Sequence, residues 1–298
     1  MGIVRHTECP VCRSKEVQPL LTVTDHTVSG ETFDVWMCTT CTLRFTQDAP
    51  DEASIARYYK SEDYISHTDS NKGIINQLYK RVRQYTLGSK ARLLVAQTAT
   101  HSGRLLDIGC GTGAFLNRML QNGWEAKGLE PDSQARQLAR KLYGIEAGDI
   151  TELFTLRLAS FDAITMWHVL EHVHQLHEYL EQISKLLKTG GKLFVAVPNY
   201  TSLDAEIYVN YWAAYDVPRH LYHFTPAAIS ALVAQHGMTV SAREPMWFDA
   251  FYISMLSSKY QTGSTSYAGA LLNGLRSNFL TLREPGRCSS VIYVVSKG

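Results

Sequence analysis

The sequence has no long apolar stretch and no excess of charge of either sign. No segment of its 298 residues approaches the roughly 18 consecutive apolar residues that a membrane-spanning helix needs. The N-terminus, Met1 to His6, lacks the apolar core of a secretory signal peptide. With 29 basic and 28 acidic residues the formal net charge is +1, which gives no electrostatic reason to expect a nucleic-acid partner. We therefore expect a cytoplasmic globular protein, long enough to bury an α/β core and one accessory module.

Cysteine is scarce, and four of the six cysteines fall into two C-x-x-C pairs. Cys9 and Cys12 form the first pair, Cys38 and Cys41 form the second, and 25 residues separate the pairs. Four thiolates at this spacing predict a tetrahedral metal site that is closed to other ligands and therefore structural. Disulfides are unfavourable in a reducing cytosol. We predict zinc, with iron as the alternative because it accepts the same ligands in the same geometry.

Three of the 20 glycines lie close together in one turn, within residues 105–115. There an apolar stretch runs into Asp107, and Gly109, Gly111 and Gly113 follow at alternate positions before a helix-compatible segment. The pattern predicts a strand, a turn whose backbone a ligand can touch, and a helix. It also satisfies the dinucleotide fingerprint G-x-G-x-x-A. Asp107 argues against a dinucleotide, because its carboxylate would repel a diphosphate but would suit a ligand that carries an ammonium group.

The same residues resemble motif I of the class I S-adenosylmethionine-dependent methyltransferases. S-adenosylmethionine has an ammonium group, a sulfonium and an adenosine, and it has no phosphate. The resemblance implies an α/β fold with a Rossmann-like seven-stranded sheet whose last strand is antiparallel. It also implies that Asp107, Gly109, Cys110, Gly111 and Gly113 border the cofactor.

Two later acids continue the resemblance. Residues 124–130 predict a second strand that ends at Glu130, whose carboxylate can accept hydrogen bonds from both ribose hydroxyls, and Pro131 then starts a helix. A third short strand is expected before Asp149 and Ile150, where the family places an acid on the adenine amino group and an apolar residue on the ring. Asp149 alone would be read as a helix cap. In series with the other two acids, the ligand role is favoured.

The string W-H-V-L-E-H-V at residues 167–173 follows a predicted buried strand. It resembles the motif after the fourth strand in the methyltransferase branch that includes the quinone-ring O-methyltransferases. The resemblance implies that Trp167 and His168 face the methionine and adenine parts of the cofactor. For Glu171 and His172 a role in the site and simple packing of a helix face on the sheet are weighed equally.

The segment that follows the fifth strand is the candidate acceptor site. Residues 188–199 resemble the K-P-G-G turn and fifth strand of the family, and the aromatic-rich loop 199–226 comes after them. Long loops at the carboxyl edge of such a sheet are commonly functional. Either His220 or His223 could take a proton from an acceptor hydroxyl as general base, and the alternative for each is a capping bond to the loop backbone. His220 is preferred because the neighbouring Arg219 would suit an anionic group of the substrate.

Two segments lie outside the minimal fold. Residues 49–100 are polar and helix-spaced, and they predict a linker or lid from which Tyr58, Tyr59 and Tyr64 would reach the cofactor or acceptor. Residues 249–282 predict two inserted helices. These helices either cover the sheet edge or present an apolar face to a second subunit, as in a homodimer, or to a lipid-like acceptor.

Taken together, the patterns predict three parts and one reaction. The parts are a zinc-ribbon-like module at residues 1–48, a helical linker at 49–100 and a class I methyltransferase domain at 101–298. The reaction would be methyl transfer from S-adenosylmethionine to a small molecule, at a hydroxyl if the quinone resemblance holds. Sugar C-methyltransferases that act on nucleotide-linked sugars are similar in carrying a four-cysteine module. An NAD-dependent oxidoreductase and a non-catalytic zinc-ribbon adaptor are the alternatives from other functional classes.

Overall fold

The computed structural model describes residues 2–59 and 74–297, so the predicted contact of Tyr64 lies outside the described residues. The helices are α1 (Ile74–Thr98), α2 (Ala114–Gln121), α3 (Ser133–Tyr143), α4 (Leu176–Leu186), α5 (Leu203–Tyr208), α6 (Pro226–Ala234), α7 (Asp249–Thr262) and α8 (Tyr267–Arg283). The strands are β1 (Ile3–Val4), β2 (Val17–Thr24), β3 (Thr32–Cys38), β4 (Arg44–Thr46), β5 (Ala49–Pro50), β6 (Arg104–Ile108), β7 (Glu125–Leu129), β8 (Phe161–Trp167), β9 (Leu187–Pro198), β10 (Tyr222–His223), β11 (Met238–Pro245) and β12 (Ser290–Lys297).

A six-stranded sheet in the order β11-β12-β9-β8-β6-β7 forms the centre of the molecule. Strands β6 to β9 run parallel, and β12 runs antiparallel to β9, as the resemblance predicts for the last strand. The α/β class is therefore confirmed, although the described sheet has six strands and not seven. The missing strand is reduced to one parallel bridge between Gly148 and Leu129, because Asp149 caps a 3-10 helix that begins at the next residue.

The central strands form because apolar residues fill both of their faces. In β8 the run from Ala163 to Met166 is fully buried, as expected of a parallel strand covered on both sides. Helix α4 contributes Leu180 and Ile183 to the same core, with hydrophobic spacing that places both on its inner face. The carboxyl ends of β6, β7 and β8 therefore meet at one rigid edge, where the predicted cofactor residues lie.

The N-terminal module shares a sheet with the candidate acceptor loop. Strands β2, β3 and β4 form an antiparallel ribbon, and β10 from the loop pairs with β4, Tyr222 opposite Phe45. The cores are continuous as well, since Cys9 and Phe45 belong to the same buried cluster as Phe224. The predicted boundary at residue 48 therefore lies beside a sheet to which both sides contribute.

The inserted segment forms the two predicted helices, α7 and α8, which pack against each other. The linker contains a 3-10 helix at Ile55–Tyr59 and the helix α1. Among the described residues, none of the helices has both the length and the apolar character to cross a bilayer.

Candidate active site

The glycine turn after β6 has the backbone conformation that the sequence predicts. Gly109, Gly111 and Gly113 have φ angles of +69°, +53° and +78°, in the region that side chains disfavour. A Cβ atom on Gly109 would lie 2.4 Å from Cγ2 of Val169, whereas one on Gly111 would meet nothing within 4 Å. The turn therefore packs against Val169, just after β8, at its first glycine, and it has free space beside its second.

This difference predicts unequal effects for two matched substitutions. Gly109→Ala combines backbone strain with a clash and should lower the free energy of unfolding by roughly 2–4 kcal/mol. Gly111→Ala carries strain alone and should cost about 1–2 kcal/mol. Urea denaturation of the two variants beside the wild type measures both values. Equal losses would contradict the close approach between Gly109 and Val169.

Asp107 is buried at the end of β6. Its Oδ1 accepts a hydrogen bond of 2.6 Å from the hydroxyl of Thr165. Burial raises the pKa of Asp107 to about 7, against the opposing effects of Thr165 and the Lys90 ammonium, and the Glu130 carboxylate adds to the rise. The carboxylate is thus underpaired within the described residues, which makes it suited to a cationic ligand.

Glu130 is fixed in orientation by the backbone around it. Its Oε2 accepts from the N–H of Gly111 at 2.8 Å, and its Oε1 accepts from the N–H of Asp132 at 3.0 Å. Each carboxylate oxygen retains acceptor capacity, so the group can still bind two ligand hydroxyls. Pro131 is exposed, and its carbonyl accepts from Arg136 at 2.9 Å.

Asp149 caps the 3-10 helix that begins at Ile150, which is the alternative role predicted for it. Its Oδ1 accepts from the N–H and hydroxyl of Thr151 at 3.1 and 2.8 Å, and its Oδ2 lies 3.1 Å from Arg136. Ile150 is half-buried and packs against the main core. The adenine contacts assigned to these two residues stay a prediction.

Trp167 ends β8 with its ring between two neighbours. Phe115 meets the ring edge-on at 5.2 Å between centroids, and Nζ of Lys90 lies 4.3 Å from its centroid. Among the described residues the buried indole N–H has no hydrogen-bond partner. Cys110, by contrast, turns its side chain into a cluster with Leu116, so only its backbone faces the turn.

His168 has a φ of +58°, which is unusual for a histidine. Its Nδ1 lies 3.4 Å from Oε1 of Glu171, and its Nε2 lies 3.4 Å from Oδ2 of Asp249 at the start of α7. Burial disfavours its charge, but the two carboxylates outweigh burial and raise the pKa of His168 to about 9. The residue is therefore a cation near pH 7 that joins the inserted helices to this site.

His220 has one ring nitrogen engaged and one available. Its Nδ1 lies 2.8 Å from the carbonyl of Ala214, to which only an N–H can donate, so in the neutral ring Nε2 is the nitrogen with the lone pair. The Asp216 Oδ2 atom is 3.9 Å from this Nε2. Glu171, His172 and His220 place one ligand-type atom each within 4.8 Å of one another. The acceptor loop and the segment after β8 thus converge on the buried ring of His220.

His172 connects that cluster to the linker. Its Nδ1 donates to the carbonyl of Arg219 at 2.9 Å and lies 3.1 Å from the hydroxyl of Tyr59. Burial, reinforced by His220, lowers the pKa of His172 to about 4, so this imidazole is neutral at pH 7. Tyr59 therefore contacts the histidine cluster, whereas Tyr58 is buried. The contacts of these tyrosines with cofactor or acceptor stay a prediction.

Arg219 is committed to internal partners. Its guanidinium donates to Asp216 at 2.6 Å, to Asp25 at 3.0 Å and to the carbonyl of Tyr58 at 2.8 Å. The side chain is 2% exposed, and the ion pairs raise its pKa. These contacts give Arg219 the role of tying the loop to the N-terminal module, in place of the substrate contact expected of it.

His223 has a different environment from His220. Its Nε2 lies 3.3 Å from the hydroxyl of Thr46, and burial holds its pKa well below the ordinary range. Thr46 also donates its hydroxyl to the carbonyl of His220 at 2.7 Å and its N–H to the carbonyl of Leu221 at 2.9 Å. Strand β4 of the module therefore positions both candidate bases.

The four cysteines of the two C-x-x-C pairs meet in one cluster. The Sγ atoms of Cys9 and Cys41 are 3.5 Å apart, those of Cys12 and Cys38 are 3.6 Å apart, and all four lie within 4.8 Å of one another. Tetrahedral zinc with Zn–S bonds of about 2.3 Å needs sulfur separations of about 3.8 Å. The backbone N–H of Val11 points at Cys9 Sγ from 3.4 Å. The arrangement fits a four-thiolate metal and is too open for a disulfide.

Sequence reasoning missed Lys90, Thr165 and Asp249. Lys90 comes from a helix without a motif, and Asp249 opens an insertion outside the minimal fold. Thr165 could have been found, because a residue of β8 paired beside Asp107 must present its side chain to the same face.

Known proteins resemble this chain in sequence and in fold. A sequence family described as "Methyltransferase domain" matches residues 79–242. The chain is 27% identical over 180 residues to the ubiquinone biosynthesis O-methyltransferase of Xanthomonas axonopodis pv. citri, a match that covers 55% of this chain and 75% of that protein. It is 33% identical over 104 residues to the corresponding protein of Idiomarina loihiensis, covering 32% and 42% of the two chains.

Solved structures agree on the fold. The magnesium protoporphyrin IX methyltransferase of Synechocystis with bound SAH superposes with a TM-score of 0.54 at 14% identity, covering 83% of this chain and all (100%) of that one. A SAM-dependent methyltransferase from Archaeoglobus fulgidus gives a TM-score of 0.51 at 19% identity, covering 76% and 100%. At such low identity the likeness concerns the fold alone.

Proposed function

Since the chain belongs to the methyltransferase-domain family and is an S-adenosylmethionine-dependent methyltransferase, we propose that it methylates a hydroxyl group of a small molecule. The named relatives, which are O-methyltransferases, support the hydroxyl. Neither an NAD-dependent oxidoreductase nor a non-catalytic adaptor is supported by the family match.

The residues at the carboxyl edge of the sheet would hold the cofactor. Asp107 would bind the ammonium group, Glu130 the ribose hydroxyls, and Asp149 with Ile150 the adenine. The remaining contacts would come from Pro131, Trp167, His168 and the turn Gly109, Cys110, Gly111 and Gly113. When bound, S-adenosylmethionine supplies an electrophilic methyl group on its sulfonium. The buried and underpaired carboxylate of Asp107 is the observation that supports this placement.

The observation that carries the hydroxyl proposal is the free Nε2 of His220. Because Nδ1 donates to the carbonyl of Ala214, the ring is held as the tautomer whose Nε2 can accept a proton. The acceptor oxygen would give its proton to this nitrogen as it bonds to the methyl carbon, while the sulfur–methyl bond breaks and S-adenosylhomocysteine leaves. The Asp216 carboxylate at 3.9 Å would then stabilise the imidazolium. Holding the two reactants in line supplies much of the remaining rate.

His220→Gln should therefore lower kcat by about 10²–10⁴-fold while leaving the binding of S-adenosylhomocysteine unchanged. His223→Gln is the matched control, because both histidines are buried in the same loop but Nε2 of His223 already contacts the hydroxyl of Thr46. That variant should alter stability more than the chemical step. A single-turnover methyl-transfer assay, with binding followed by thermal shift, separates the two. If His223→Gln lost the chemical step and His220→Gln kept it, the assignment would be reversed.

A second acceptor class has one observation in its favour. The four-cysteine cluster is present in the structure, and the resemblance to sugar C-methyltransferases rests on a module of that kind. Screening S-adenosylhomocysteine release across phenols and nucleotide-linked sugars distinguishes the classes, and mass spectrometry of the product locates the new methyl. Turnover of phenols alone supports the proposal, whereas methylation at a sugar carbon would replace it.

We also propose that Cys9, Cys12, Cys38 and Cys41 hold a structural zinc ion. The sulfur separations support a tetrahedral four-thiolate site, and iron would use the same donors. With all four positions filled by protein, the ion would have no place in the methyl transfer.

A further inference from the structure

Helix α8 exposes its large apolar residues and buries its small and polar ones. Its inner face includes Gly274, Ser277 and Thr281, all buried. A Cβ on Gly274 would lie 2.3 Å from the ring of Phe251, so α7 packs closely on this side. A surface helix of a globular protein normally shows the reverse pattern. The α8 apolar face consists of six side chains that are 49–70% exposed: Tyr267, Leu271, Leu272, Leu275, Phe279 and Leu282.

The charge along the two inserted helices is basic except at their outer ends, where Asp249 and the exposed Glu284 lie. Residues 250–283 contain Lys259, Arg276 and Arg283 and neither aspartate nor glutamate. The guanidinium of Arg283 lies 4.8 Å from the ring centroid of Phe279, so a basic group sits directly beside an exposed aromatic ring.

The neighbouring helix α1 continues the same charge. Besides Lys90, which lies in the active site, it carries four basic residues and no acidic residue. Its exposed Tyr85 meets the ring of Phe248, just before α7, at 5.7 Å between centroids. Trp247, whose carbonyl accepts from Asn278 of α8 at 2.8 Å, adds a partly exposed indole. The apolar face thus continues into an aromatic and basic border.

We propose that the α8 apolar face docks on the surface of an anionic lipid bilayer. Leucine and aromatic side chains beside arginine and lysine are the composition by which helices lie in a membrane interface. Each basic residue near such a surface gains from the negative potential of the lipids. This contact is separate from the methyl-transfer proposal and does not depend on the identity of the acceptor.

A second copy of the chain is a poorer match for the same face. Two-fold pairing of α8 with itself would bring Arg276, near the middle of the helix, towards its own counterpart. Neither copy of α8 has a carboxylate near Arg276, since the first acid, Glu284, follows the C-terminal end of the helix. A bilayer containing anionic lipid supplies both the apolar layer and the negative charge.

Helices α7 and α8 are held in place by contacts with the rest of the protein. Asn273 donates to the hydroxyl of Tyr208 at 3.0 Å, and Asp249 at the start of α7 pairs with His168 at 3.4 Å. A surface that is already ordered needs no folding on binding, which favours association.

Vesicle flotation of the full-length protein tests the proposal. Wild type should float with phosphatidylcholine vesicles that contain about 30% phosphatidylglycerol at low salt, and binding should weaken as salt rises. The triple variant Leu271→Ser, Leu275→Ser, Phe279→Ser should lower the partition coefficient at least about tenfold. Arg276→Gln with Arg283→Gln should lower it by roughly tenfold or more at low salt.

The matched control is Leu142→Ser with Leu158→Ser, two leucines that are 54% and 55% exposed elsewhere on the surface and should leave flotation unchanged. Thermal stabilisation by S-adenosylhomocysteine, measured on each variant, verifies folding. Absence of flotation for wild type at low salt would overturn the proposal. Sedimentation showing a dimer that the triple variant dissociates, without any loss of vesicle binding, would assign the face to a second copy instead.

Discussion

Asp107→Asn should abolish the thermal stabilisation that S-adenosylhomocysteine gives to the wild type, without lowering the stability of the ligand-free protein. The amide keeps the size of the carboxylate but cannot pair with an ammonium group. Losing one partner of a buried ion pair costs roughly 3–5 kcal/mol, which corresponds to roughly 150- to 4,000-fold in Kd. Isothermal titration and thermal shift on the same samples measure both parts of the expectation.

Asp107→Asn should weaken ligand binding but should raise the free energy of unfolding of the ligand-free protein near pH 7, because the wild-type carboxylate is buried. Its pKa of about 7 in the folded protein exceeds the value of about 3.9 in an unfolded chain. Between these values the folded state binds the proton more tightly, so the free energy of unfolding falls as pH rises from about 4 to about 7. The difference is worth about 4 kcal/mol above pH 7, and Asp107→Asn should remove that decline.

The affinity for S-adenosylhomocysteine should also follow the ionisation of Asp107, but it should rise with pH where the free energy of unfolding falls. A bound ammonium favours the ionised carboxylate, so wild-type affinity should rise up to about tenfold per pH unit from pH 5.5 to 7 and then level off. Lys90, whose pKa burial lowers to about 8, and Glu130, whose pKa burial raises, face the same carboxylate. The pH series of Asp107→Asn retains both groups, so the difference between the two series isolates Asp107.

Asp162→Asn is the matched control, because this acid lies at the opposite end of β8 and pairs with Lys188 at 2.7 Å. It should leave affinity unchanged. Retained binding in Asp107→Asn would remove the carboxylate from the cofactor site. Loss of binding together with a fall in ligand-free stability would mean that Asp107 acts only through the structure of the turn.

The parts of the site that the sequence predicts are those whose signals are local. The turn from Asp107 to Gly113 has its dihedral angles, its strand and its helix determined within a few residues, and each was found as expected. The cysteine pairs are equally explicit, because metal geometry restricts which spacings can form a site. Local chemistry also explains the error in strand number, since Asp149 ends the third strand by starting a 3-10 helix.

Partners that come from distant segments could not be predicted in this way. Nothing around Asp249 indicates that it pairs with His168, and nothing around Arg219 indicates that Asp25 holds it. The pairing of β10 with β4 is likewise a tertiary event between two short strands. A single sequence constrains such contacts only through the fold as a whole, which explains why Arg219 was expected to bind substrate and is instead buried.

Because β10 pairs with β4, loss of the metal site should also impair catalysis. Cys38→Ala should lower bound zinc from about one equivalent to less than about 0.1 and should also abolish methyl transfer, although no cysteine of the cluster lies at the active site. Structural zinc contributes roughly 10–16 kcal/mol of binding energy, as much as the whole stability of a typical domain. Elemental analysis measures the metal and distinguishes zinc from iron. The matched control is Cys288→Ala, a buried cysteine outside the cluster, which should keep its metal.

We expect the loss of activity because β4 contacts the loop that carries His220. Thr46 contacts the carbonyls of His220 and Leu221, so an unfolded module would release the loop that carries the candidate base. Asp107 lies on β6 in the other sheet, so binding of S-adenosylhomocysteine should survive better than turnover. If Cys38→Ala lost its metal and kept full activity, the coupling through β4 would be wrong.

Thr46→Val tests that coupling with the metal in place. It removes only the hydroxyl that donates to the His220 carbonyl at 2.7 Å and contacts His223 at 3.3 Å. Because an unsatisfied buried carbonyl costs about 1–3 kcal/mol, the loop should shift and kcat should fall by roughly tenfold or more. Metal content and cofactor affinity should match the wild type. A kcat equal to that of the wild type would show that the module stabilises the fold without positioning the base.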